Sequence, residues 1–115
     1  MVLPQFWAGL TLSYTRMRIG IIGAGAYGTA IVTQDSSTPL LRVVAVADIS
    51  RDAAQGAYLK AGFDADTVAY AATATEAQML IAQGKRIYTD HPQIVAGIAD
   101  VDVVCESTGS AEASA

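Results

Sequence analysis

Arg18-Ile19-Gly20-Ile21-Ile22-Gly23-Ala24-Gly25-Ala26-Tyr27-Gly28 is the stretch on which the fold turns. Arg18–Ile22 is dominated by apolar, β-branched residues, the pattern of a strand buried on both faces. Three glycines in G-x-G-x-x-G spacing follow at once, and helical residues run from Ala26 to about Gln34. Each glycine has an expected task. Gly23 permits the tight turn out of the strand. Gly25 has no Cβ, so backbone can approach a pyrophosphate. Gly28 lets the helix pack closely on the strand. Ala26 and Tyr27 open the helix, where free N–H groups and the helix dipole would face phosphate.

Outward from this loop, Arg42–Ala47 is a second continuous apolar strand, and it closes on Asp48, 20 residues after Gly28. A glycine loop alone is a weak signal. A strand before it, a helix after it and an acid at this distance form the dinucleotide fingerprint, in which the acid accepts hydrogen bonds from the adenosine ribose. A carboxylate repels a 2′-phosphate, so Asp48 favours NAD. Arg51, three residues on, is either a ligand for the 2′-phosphate of NADP or a solvated surface arginine.

The remaining elements complete an alternation. Ser50 can cap a helix from Arg51 to Ala61 that Gly62 ends. Thr73 and Glu76 form a capping box for Ala74–Gln83, stopped by Gly84. Ile87–Thr89 is a short third strand. Asp90 can cap a short helix with Pro92 in its first turn. Val101–Glu106 is a fourth strand, and Ser110 can cap another helix. The expected architecture is α/β: the first half of a Rossmann-type doubly wound parallel sheet, strand order 3-2-1-4. In such a sheet ligands lie beyond the carboxyl ends of strands one and four. Ser107, Thr108 and Gly109, after Glu106, are therefore expected at the ribose and nicotinamide side of the cofactor.

The chain has 115 residues, enough for one domain, expected over residues 17–115 with residues 1–16 as an extension or a short packing segment. Hydrophobic residues make up 52%, which excludes a disordered tail. A net charge of −4 argues against a nucleic-acid surface. The apolar start, Met1–Tyr14, lacks a basic signal-peptide head and is too short to cross a bilayer, so no membrane partner is expected. Cys105 is the only cysteine and suits a cytoplasmic setting; its place inside a strand makes an inert thiol the better reading. His91, the only histidine, is read as a surface or capping residue. No metal-ligand spacing occurs, and no catalytic residue is assigned.

Taken together, R-I-G-I-I-G-A-G-A-Y-G-T-A, V-V-A-V-A-D-I-S, G-K-R-I-Y-T-D and V-D-V-V-C-E-S-T-G resemble the N-terminal domain of homoserine dehydrogenase-like oxidoreductases. The nearer resemblance is to the subgroup carrying a C-terminal SAF domain, which includes deoxyxylulose-phosphate reductoisomerase-like enzymes. It spans Arg18 to Gly109. It implies a nicotinamide cofactor, NAD or NADP, carried by Gly23, Gly25, Gly28, Asp48 and the Ser107–Gly109 turn. It also implies a larger protein whose catalytic domain supplies a lysine and acids, so that the 115 residues alone would be inactive and would meet a small-molecule substrate only in the full-length form. The alternatives are a non-catalytic dinucleotide-sensing module and a truncated domain that binds nothing. An open fourth strand would invite self-association into a homo-oligomer.

Overall fold

The computed structural model describes residues 17–99 and 101–106, and within them the expected alternation is present. Strand β1 (Met17–Ile22) leads into helix α1 (Ala26–Asp35), then β2 (Leu41–Ala47) and α2 (Arg51–Lys60). A 3-10 turn (Ala65–Thr67) precedes β3 (Val68–Tyr70). Helix α3 (Ala74–Ala82), β4 (Arg86–Thr89), α4 (Pro92–Ala96) and β5 (Val103–Glu106) follow. All strand pairs are parallel, and the order across the sheet is β3-β4-β2-β1-β5.

This corrects the expected order in one respect. The four anticipated strands lie in the anticipated sequence, but β3 adds a fifth at the edge beside β4. Its three residues sit in a stretch that reads from sequence as a connection between two helices, too short for periodicity to reveal. Strand β5 also begins at Val103 and not Val101. The extension before Met17 and the helix expected after Ser110 lie outside the described residues.

Helices cover both faces of the sheet, as a doubly wound fold requires. On one face Ile19, Ile21, Val43 and Val46 pack against Val32 of α1 and Ala54, Ala57 and Tyr58 of α2. On the other, Val44, Ala45, Ala47 and Ile87 pack against Ala77 of α3 and Ile94 and Val95 of α4. Val44 and Ala45 share a face because the β1–β2 register slips there: Ile19 pairs with Val43, but Gly20 pairs with Ala45. One residue inserted into one strand is a bulge, and it resets the alternation. Gly20 lies beneath α4, where a Cβ would intrude on Val95 Cγ1 and sit 3.3 Å from Val101 Cγ1. The glycine thereby sets how closely α4 approaches the sheet.

The helix ends follow their local chemistry. Ser50 Oγ accepts from the Ala53 N–H at 3.2 Å, and Gly62 and Gly84 stop α2 and α3 with φ of 99° and 88°. Thr73 Oγ1 accepts from the Glu76 N–H at 3.1 Å, but the return bond differs from a capping box: Glu76 Oε1 accepts from the Ala72 N–H at 2.8 Å. Asp90 does not cap α4. The cap position is His91, which makes no side-chain capping bond, and the Asp90 carboxylate is engaged elsewhere.

Candidate dinucleotide site at the carboxyl edge of the sheet

Because every strand runs the same way, the residues that follow β1, β2, β3 and β4 meet along one edge of the sheet. The same topology sends the two lysines to the opposite edge: Lys60 ends α2, and Lys85 precedes β4. Strand order reverses between β1 and β5, which opens the crevice where doubly wound sheets hold ligands.

The loop out of β1 is built as the glycine spacing suggests. Gly23 has φ 100°, a left-handed conformation that a side chain would strain, and its N–H donates to the Ala47 carbonyl at 2.7 Å. Gly25 is the N-cap of α1 and provides no side-chain cap. The first-turn N–H groups of α1 have no partner within the helix. Among the described residues a Cβ at Gly25 would meet nothing within 4 Å, so they leave space above the helix start. Gly28 is buried in the first turn.

Asp48 is tied to this loop. Its Oδ2 accepts from the Ala24 N–H at 2.8 Å and its Oδ1 from the Ser50 N–H at 2.8 Å, while its own N–H donates to the Thr89 carbonyl at 3.1 Å. The carboxylate therefore joins the glycine loop to the β2–α2 turn, and the Asp48 backbone adds a link to the end of β4. Each carboxylate oxygen offers two acceptor positions. After these bonds, both oxygens can still accept from a diol. Glu106 ends β5 opposite Ile22, at the same edge. Ser107, Thr108 and Gly109 come directly after it and lie outside the described residues.

Arg51 is a solvent-exposed arginine, its side chain 53% accessible, but it is not free. Its guanidinium carbon sits 4.0 Å from the centroid of the Tyr70 ring, and its Nη2 donates to Tyr70 Oη at 3.2 Å and Asp90 Oδ2 at 3.3 Å. Tyr70 Oη donates to Asp90 Oδ1 at 2.7 Å, and His91 Nε2 lies 3.4 Å from that same oxygen. The bond from Tyr70 is the main influence holding the Asp90 carboxyl below its ordinary value of 3.8, with Arg51 adding to it. The same bond pushes the Tyr70 phenol above 10. The cluster is thus intact across neutral pH. Asp90's contribution is present above its ordinary pKa and lost as pH falls through the lowered one. Tyr70's is present below 10 and lost as pH rises through the raised value.

No family model matches the chain, and no curated protein shows significant similarity to it. Gly23, Gly25, Gly28 and Asp48 are brought together as the sequence indicates, with Ala26 and Tyr27 as the first residues of α1. Tyr70 and Asp90 are the members that sequence reasoning missed. They stand 19 and 39 residues from Arg51 and meet it because β4 lies beside β2 and β3 beside β4. The usable signal was the polar residue closing each strand, Tyr70 on β3 and Asp90 after β4. Among the described residues, no helix is long and apolar enough to cross a membrane.

Proposed function

We propose that this chain is the dinucleotide-binding domain of an NAD(P)-dependent oxidoreductase, with the homoserine dehydrogenase type as its reaction class. The observation that carries the reading is the junction of Asp48 with the glycine loop. A carboxylate with acceptor capacity remaining is bonded to the N–H of Ala24, one residue before an open, uncapped helix start. That spacing suits a ribose diol at Asp48 and a pyrophosphate over Gly25. When bound, the nicotinamide would supply hydride transfer to or from a carbonyl or hydroxyl carbon. The residues of this chain bind and orient. The N–H groups that open α1 take the phosphates, Gly25 lets them approach, and Asp48 fixes the adenosine ribose. The Ser107–Gly109 turn is proposed to border the nicotinamide ribose. Acid–base groups and the small-molecule substrate belong, on this reading, to a further part of the protein, because Lys60 and Lys85 face away from the site. Val103 and Val104 on the β5 edge are both about 40% exposed (40% and 43%), and they are the surface through which a homo-oligomer would form.

The ribose assignment has its own test. ADP and 2′-deoxy-ADP are titrated against the wild-type chain and Asp48→Ala. Loss of one hydroxyl bonded to a carboxylate should weaken wild-type binding by about tenfold or more. Asp48→Ala should bind both nucleotides equally and weakly. A wild type that does not distinguish the two nucleotides would remove Asp48 from the ribose.

A further inference from the structure

We propose that Asp90 is a specificity-determining residue: with Tyr70 it holds the Arg51 guanidinium in a neutralising clamp, and this makes the site selective for NAD over NADP. The inference rests on the dinucleotide reading above and extends it to the choice of cofactor.

The argument begins with charge. Arg51 is the only basic residue between Asp48 and Leu59, so it is the cation available to a 2′-phosphate on a ribose held at Asp48. Asp90, after β4, is ion-paired with it, and Asp48 and Asp52 lie three residues before and one residue after it in the chain. A phosphate monoester would bring close to two further negative charges into this neighbourhood. Binding it requires the arginine to present its fork of donors bidentately.

Geometry opposes that. One face of the guanidinium lies on the Tyr70 ring, and Nη2 is shared between Tyr70 Oη and Asp90 Oδ2. Asp90 is in turn fixed by the short bond from Tyr70 and by its place directly after buried Thr89. The clamp is a closed triangle of Arg51, Tyr70 and Asp90 in which each member bonds the other two. Reaching a 2′-phosphate would break the ion pair and leave Asp90 with only the Tyr70 hydroxyl and His91 as partners, its negative charge beside the ligand. A 2′-hydroxyl makes no such demand. It needs only an acceptor, and Asp48 is one. Asp90 acts through Arg51 and is a positioning residue with no contact to ligand of its own.

The test measures dissociation constants for NAD and NADP by calorimetry on the wild-type chain, Asp90→Asn, Tyr70→Phe and the double variant Asp90→Asn with Arg51→Ala. A thermal melt on each establishes that it is folded. The wild type should bind NAD more tightly. Asp90→Asn should bind NADP about two- to fivefold more tightly than the wild type does, the scale of one exposed ion pair. Its NAD affinity should change much less. Tyr70→Phe, which keeps the ring but releases both bonds to its hydroxyl, should move the ratio the same way by a smaller factor. Adding Arg51→Ala to Asp90→Asn should erase the gain. A gain in affinity cannot arise from damage to the fold, which would weaken both cofactors together. A wild type preferring NADP, an unchanged ratio in Asp90→Asn, or a gain that survives Arg51→Ala would overturn the clamp while leaving dinucleotide binding intact. Folded wild type that binds neither cofactor would overturn the dinucleotide reading, and the selectivity with it.

Discussion

Asp35→Ala should destabilise the domain by about 3–5 kcal/mol, the usual cost of removing one partner of a buried ion pair. Asp35 ends α1 and is 4% exposed. Its Oδ2 accepts from the Val43 N–H at 2.8 Å and from Arg86 Nε and Nη2 at 3.3 and 3.1 Å. Arg86 is itself nearly covered, lying 4.2 Å over the Phe63 ring. Alanine at position 35 would strand a guanidinium in the interior and leave the Val43 N–H without this acceptor, next to the bulge where β2 resets its register. Domains of this size hold only about 5–15 kcal/mol in total, so urea unfolding should show the midpoint falling by about a fifth or more. Asp35→Asn, which keeps an acceptor for Val43, should lose distinctly less. Equal losses from both substitutions would show that the charge is not what matters there.

The second large effect is on binding. Gly25→Asp should abolish dinucleotide binding, by about a hundredfold or more, while leaving the fold as stable or slightly more so. Gly25 has φ −73° and ψ −165°, extended backbone that any residue adopts, and a Cβ there meets none of the other described residues within 4 Å. Aspartate is among the best N-cap residues and would satisfy the first-turn N–H groups of α1. Those are the groups assigned to the pyrophosphate, and the added carboxylate would repel it besides. Stability and binding should therefore move in opposite directions. A Gly25→Asp protein that still binds would show that phosphate does not sit at the start of α1.

Much of this was legible in the sequence, for identifiable reasons. Strands β1 and β2 are continuous apolar runs because both faces of a doubly wound sheet are covered. Ser50, Thr73, Gly62 and Gly84 mark helix ends because capping is local chemistry within three or four residues. The position of Asp48 follows from strand length alone. What escaped depends on contacts between distant residues. Strand β3 is three residues at an edge and acquires its identity by pairing with β4. Asp35 lies at the end of a helix, where an acid ordinarily faces solvent. Its burial is compensated by partners the local sequence does not show, among them Arg86, 51 residues away, and the Val43 N–H. Asp90 was expected to cap α4 because its local sequence favours that role. Tyr70 and Arg51 compete for the same carboxylate and hold it. The Arg51 clamp is invisible for the same reason: its members are assembled by strand order and share no spacing.

The central claim is that this edge of the sheet holds a dinucleotide, and calorimetric titration of the folded wild-type chain with NADH tests it most directly. Saturable binding with one site per chain, competed by ADP and absent in Gly25→Asp, is the expected result. No saturable binding of NADH, with the protein shown to be folded in the same buffer, would contradict it.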